Sequence, residues 1–109
     1  MNFEEQKEFL DSLNEFEKEF YFISTKNQTN KSIQQLLKDG IVKLTDESCQ
    51  GLKFNYEADK LLQQINLQIA GGKVYFNSET RDLWRKIEQK NHQGKTFSSI
   101  NTILSIFQK

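Results

Sequence analysis

The chain has few of the residues on which the chemistry of small proteins usually depends. It contains no proline, one cysteine and one histidine in 109 residues. The single Cys49 excludes an internal disulfide and fits a reducing compartment. No second histidine or cysteine stands at ligand spacing from His92, so we expect no zinc or other metal site.

Long apolar runs and nucleotide-binding motifs are also missing. The longest apolar run is far shorter than the ~20 residues that cross a bilayer, and the acidic first segment does not resemble a signal peptide. Gly94-Lys95-Thr96 matches the end of a phosphate-binding loop, but Gln89 stands where that loop needs its first glycine. We therefore expect no cofactor, no membrane association and a cytoplasmic location.

Large polar and aromatic side chains are abundant instead. Asparagine and glutamine together number 20, a bias typical of an AT-rich genome such as that of a bacterium or phage. A chain of this length buries only about two thirds of its unfolded surface. The nine phenylalanines, three tyrosines and one tryptophan are large enough to fill the core of a single domain over residues 1–109.

Charge is segregated although the net charge is zero. Residues 1–20 carry seven acids against two bases, and residues 73–109 carry seven bases against three acids. Ends of opposite sign can pair within one chain, between two copies in a homodimer, or with an outside partner.

Hydrophobic periodicity predicts a helix at about 2–23, whose apolar side recurs every three or four residues from Phe9 to Ile23. A polar loop follows at 24–31. Thr29 or Asn30 is expected to cap a short helix that ends at Asp39-Gly40. Ile41, Val42 and Leu44 then suggest a short extended strand at 41–44, and alternating apolar residues suggest a second short strand at 52–56.

The apolar residues in 55–77 fit both the period of a helix and the period of a strand. The spacing of Ala58, Leu61, Leu62, Ile65 and Ile69 suits one helix ending at Gly71-Gly72, whereas the alternation on both sides of the glycines suits a hairpin. We predict a helix at 56–64 and a hairpin that pairs 65–70 with 73–77.

The C-terminal part of the chain is predicted to form two helices. The first is capped by Asn77 or Ser78, turns Leu83, Trp84 and Ile87 inward and ends at Gly94. The second is capped by Thr96 and carries its apolar side chains on one face: Phe97, Ile100, Ile103, Leu104 and Phe107. The predicted fold class is α+β and mostly helical, with four to five helices and a small antiparallel β-hairpin.

The function expected from these features is protein binding without enzymatic activity. Small proteins of this kind act as immunity proteins, antitoxins or inhibitors of a larger enzyme, and a charged helical face speeds capture of an oppositely charged partner. A basic target such as a nuclease suits the acidic first helix. The predicted contacts are Glu4, Glu8, Asp11, Glu15 and Glu19.

The alternative is a winged-helix DNA-binding regulator, in which 56–64 is the recognition helix and the Gly-Gly-Lys hairpin is the wing. Its nucleic-acid contacts would be Lys53, Lys60, Lys73, Arg81, Arg85 and Lys86. Zero net charge and the acids Glu57 and Asp59 on the recognition helix weigh against it. A third hypothesis is a subunit that self-associates through its oppositely charged ends.

Overall fold

A computed structural model describes residues 1–92, which form four α-helices joined by short loops. The helices are α1 (Phe3–Tyr21), α2 (Gln28–Thr45), α3 (Leu52–Ala70) and α4 (Ser78–His92). No β-strand occurs among these residues, so the predicted α+β class and β-hairpin are wrong, while the mostly helical character is confirmed. The cap at Thr96 and the last predicted helix lie outside the described residues.

Each helix runs antiparallel to its neighbours, as contacts between them show. Gln34 of α2 donates to the Glu17 carboxylate of α1, and Lys43 of α2 lies 3.8 Å from the Glu57 carboxylate of α3. The indole nitrogen of Trp84 on α4 donates to Asn66 of α3 at 3.3 Å. The fourth helix also packs against α1, so the order up-down-up-down closes into a bundle.

The first helix follows the predicted pattern closely and begins at a capping box. The Asn2 side chain accepts a hydrogen bond from the Glu5 amide, and the Glu5 carboxylate accepts one from the Asn2 amide, both at 2.8 Å. Phe9, Leu13, Phe16 and Phe20 are fully buried. This helix supplies the apolar centre around which the bundle packs.

Aromatic rings hold the middle of the bundle together. The Phe16 ring lies 5.4 Å from that of Phe20, 5.1 Å from that of Trp84 and 6.4 Å from that of Phe76. Phe9 meets Phe54 of α3 edge-on at 6.0 Å. The inward orientation predicted for Leu83, Trp84 and Ile87 is confirmed. Aromatic burial thus compensates for a small apolar fraction.

The second helix does not end at Gly40, as predicted, but continues to Thr45. Asn27, rather than Thr29 or Asn30, is its cap and accepts from the Asn30 amide at 2.8 Å. A Cβ built on Gly40 would lie 2.5 Å from a methyl carbon of Leu61. The glycine therefore permits close approach of α3 and does not stop the helix, and the strand predicted at 41–44 is absent.

The third helix replaces three predicted elements: the strand at 52–56, the short helix at 56–64 and the first hairpin strand at 65–70. Its buried positions follow the helical period through Ala58, Leu62, Ile65 and Ile69, whereas Leu67 is exposed. A strand would have placed Leu67 on the same face as Ile65 and Ile69. The helix ends at Gly71-Gly72, where Gly72 has a φ of 79°.

The segment 73–77 is not a strand, and side-chain amides of α2 and its cap hydrogen-bond to its backbone. The Asn30 side chain accepts from the Tyr75 amide at 2.8 Å and donates to the Tyr75 carbonyl at 3.0 Å. The Asn27 side chain donates to the Lys73 carbonyl at 2.7 Å. Asn77 then caps α4, as predicted, by accepting from the Thr80 amide at 2.8 Å. The first turn of α2 therefore holds the loop that leads into α4.

Candidate interaction surfaces

Five acids of α1 lie on one side of the helix. They follow one another at intervals of four, three, four and four residues: Glu4, Glu8, Asp11, Glu15 and Glu19. At 100° per residue they fall within an arc of about 80° and extend over about 22 Å of the helix. We call this set the acidic stripe. The first four are exposed and Glu19 is half-buried.

The acidic stripe points away from the core because of the period of α1. Its centre lies about 120° around the helix axis from the row of buried phenylalanines. Glu8 lies 3.8 Å from Lys90 of α4, and both side chains keep much of their exposure. The other four acids make no ion pair within residues 1–92. The stripe thus presents an excess of negative charge to solvent, beside the two exposed bases of the same helix, Lys7 and Lys18.

The six bases of the DNA-binding alternative are spread over α3, the loop after it and α4. Lys53 and Lys60 line separate depressions beside α2, together with Lys43 and Glu57. Lys73 lies beyond the other end of α3, roughly 26 Å along the helix from Lys53 at 1.5 Å per residue. The remaining three belong to α4: Arg81, Arg85 and Lys86. The hairpin that was to serve as the wing does not exist among the described residues.

A groove opens between the N-terminal half of α1 and the C-terminal end of α2. Its apolar lining combines half-buried Leu10 with the buried side chains of Leu44, Cys49 and Phe54, and exposed Phe3 stands at its mouth. It has a volume of about 340 Å³. We call it the α1–α2 groove. It could not be predicted from the sequence because its walls come from three helices and one loop.

Charged residues at the edge of the α1–α2 groove are mostly acidic. Asp11, Asp46 and Glu47 are found there with one base, Lys7. The amide and hydroxyl of Ser48 donate to Asp46 at 2.8 and 2.6 Å, and these bonds lower the pKa of the Asp46 carboxyl. Asp46 is therefore ionised at neutral pH.

Polar side chains are buried between α3 and α4. Glu88 is 1% exposed, and burial raises its pKa to about 7 against the partly opposing hydrogen bonds with Trp84 and Asn66. One Glu88 carboxylate oxygen and the Asn91 amide oxygen have no partner within residues 1–92. The Asn91 amide nitrogen donates to Asp59 at 3.0 Å. Glu88 therefore holds its proton more tightly than a carboxyl in water does, and losing that proton destabilises the folded state.

Cys49 is buried at 4% exposure, and burial raises the pKa of its thiol. A thiol held protonated in this way is a weak nucleophile. No group of three or more candidate metal-ligating side chains occurs in the described part of the chain. Within the same residues, no helix is both long and apolar enough to cross a membrane.

Comparison with known proteins found no matching family model, no matching curated protein and no matching solved structure. Any functional interpretation therefore depends on the surfaces described above.

Proposed function

We propose that this protein is a small binding module that captures a positively charged partner protein through the acidic stripe, in the manner of an immunity protein, antitoxin or enzyme inhibitor. The observation that carries the proposal is the alignment of five acids along the outer side of one helix, four of them without an ion pair in the described residues. No catalytic role for the chain is part of this proposal.

The physical basis is a strong local field on a chain without net charge. Aligned charges steer an oppositely charged partner and raise the association rate, which falls as salt is added. Each exposed ion pair contributes only about 0.2–1 kcal/mol, so several acids must act together. A helix packed through three phenylalanines and Leu13 holds them in fixed positions.

Nucleic acid is a weaker candidate for the partner. Duplex DNA is bound through phosphates by bases that share a continuous surface. The six predicted bases are instead divided among α3, the loop after it and α4. Their dispersal favours a protein partner over DNA.

The first experiment compares two variants that remove the same number of negative charges. Glu8→Gln, Asp11→Asn and Glu15→Gln neutralise part of the stripe, whereas Asp39→Asn, Glu79→Gln and Asp82→Asn neutralise exposed acids elsewhere. The probe is a fluorescein-labelled oligolysine peptide, and the measurement is fluorescence anisotropy at low and moderate salt. We expect the stripe variant to bind about tenfold more weakly and the control variant to keep its affinity.

Equal losses in the two variants would show that total charge matters and its position does not, which contradicts the proposal. A parallel titration with labelled mixed-sequence duplex DNA tests the alternative. Binding to DNA that weakens steeply with salt would favour the DNA-binding hypothesis and direct mutation to Lys73, Arg81 and Arg85.

A further inference from the structure

The α1–α2 groove extends the acidic stripe into an apolar recess. Asp11 belongs to the stripe and also lines the groove, while Asp11 and Asn14 line both the groove and the neighbouring depression that contains Glu15. Charged and apolar surfaces therefore form one continuous strip along α1. A partner attracted by the stripe meets the groove without crossing another helix.

The groove has the dimensions of a binding site for a helix. Its α1 wall runs from Phe3 to Asn14, about 16 Å or three helical turns. Its floor includes Leu44 and Phe54, which are almost fully buried, so a bulky apolar side chain entering the groove would meet a solid apolar surface. The volume, about 340 Å³, lies at the lower end of the range for ligand sites.

The lining of the groove includes one exposed aromatic side chain, Phe3. Phe3 leaves 72% of its surface in water although it stands beside the apolar floor. Aromatic side chains contribute much of the binding energy of interfaces, so a segment bound in the groove would gain affinity by covering Phe3.

The charged residues at the edge of the groove indicate which kind of segment it binds. Asp11, Asp46 and Glu47 outnumber Lys7, and the hydrogen bonds from Ser48 keep Asp46 ionised. We infer that the α1–α2 groove binds a cationic amphipathic helix of the partner protein, with its apolar side chains in the groove and its lysines or arginines against the acidic edge. The inference rests on the proposed function and names the chemical class of the partner's segment.

Such a helix would insert apolar side chains spaced at i, i+3 or i+4, and i+7, as other helices bound in grooves do. Basic residues flanking those positions would face the acids of the edge and of the stripe. Long-range attraction then comes from the stripe, and the affinity of the bound complex comes from the groove.

Two labelled peptides of equal positive charge test this inference against the intact chain. One is an amphipathic leucine–lysine helix, and the other is an oligolysine without apolar residues. Each is titrated against the native protein, Phe3→Ala and the control Leu67→Ala. Phe3 and Leu67 are both apolar and about 70% exposed, but Leu67 lies far from the groove, near the other end of α3.

We expect Phe3→Ala to weaken binding of the leucine–lysine peptide about tenfold, the value for loss of one buried aromatic side chain. Oligolysine binding should be the same for all three proteins, and Leu67→Ala should match the native protein with both peptides.

The outcomes separate the groove from the stripe. If both peptides bind with equal affinity and Phe3→Ala changes neither, the groove inference is overturned while the stripe remains the binding surface. If neither peptide binds at low salt, the proposed function fails as well. Self-association of the protein through the groove would be detected by light scattering as a mass that rises with concentration. It would mean that a second copy of the chain occupies the groove, and the inference would be overturned.

Discussion

At the scale of single residues, the buried Glu88 carboxyl is the described group that responds most directly to pH near neutrality. A carboxylate removed from water is unstable unless paired, and its proton is therefore bound more tightly in the folded state. Its pKa rises from an ordinary value of 4.5 to about 7. The folded state thus keeps a proton that the unfolded chain has already released between these two values.

This difference makes stability depend on pH in a defined direction. The contribution of Glu88 is most favourable below pH 4.5, decreases as the pH rises, and is fully unfavourable above pH 7. Glu88→Gln removes the titration, so the variant should be more stable than the native protein by up to about 3 kcal/mol at pH 8 and nearly equal to it at pH 4.5. Urea unfolding at both pH values measures this.

The control for Glu88→Gln is Asp82→Asn, which neutralises an exposed acid of the same helix. Its free energy of unfolding should stay within about 0.5 kcal/mol of the native value at both pH values. An unchanged pH dependence in Glu88→Gln would show that Glu88 is not the group that titrates.

At the scale of helices, Gly40 sets how closely α2 and α3 approach. Alanine in a helix interior is usually about 1 kcal/mol more stable than glycine. Here the added Cβ would lie 2.5 and 2.7 Å from the two methyl carbons of Leu61, which is itself buried. The two effects have opposite signs, and crowding in a packed interior is the larger.

Gly40→Ala should therefore destabilise the protein by about 1–2 kcal/mol. In a Leu61→Ala background, the crowding is gone and the same substitution should stabilise by up to about 1 kcal/mol. Chemical denaturation of the four proteins gives the double-mutant cycle. A destabilising effect of Gly40→Ala in both backgrounds would refute the contact as its cause.

Gly40 also explains which helices could be predicted from the sequence. The first and fourth were predictable because their apolar stripes continue over several turns without interruption. The predicted end of the second helix is too early because a glycine that allows close packing looks the same in sequence as one that ends a helix. Its partner Leu61 lies 21 positions away, and no local pattern reveals that contact.

The sequence predicts three shorter elements in place of α3 because Ile65, Leu67 and Ile69 alternate, and a short apolar run fits a strand as well as a helix. Burial shows that the helical period is the correct one, since Leu67 is 70% exposed and Ile65 is fully buried. The acidic stripe could be placed from the sequence since it lies on the correctly predicted α1. The groove could not, because it exists only when α2 passes Gly40 and brings Leu44 beside α1.

At the scale of the whole molecule, the one tryptophan reports on three helices. Trp84 lies on α4, contacts Phe16 of α1 and donates to Asn66 of α3. It is fully buried, so its fluorescence in the folded state should be that of an apolar environment. Separation of any of these helices exposes it to water.

If the four helices unfold as one cooperative unit, the urea transitions followed by Trp84 fluorescence and by far-ultraviolet circular dichroism should coincide. Phe16→Leu should shift both transitions to lower urea by the same amount, because it thins packing shared by α1 and α4. A fluorescence change that precedes the loss of helix would instead show that α4 separates first.

The amide of Asn30 joins two loops that are distant in sequence, since it binds the Ile23 carbonyl as well as the Tyr75 peptide. Tyr75 lies outside every helix, yet its N–H is not available to water while Asn30 stays in place. Its hydrogen exchange should therefore be as slow as that of helical amides, with an opening event that moves both loops together. One side chain makes this end of the molecule a single unit of local unfolding.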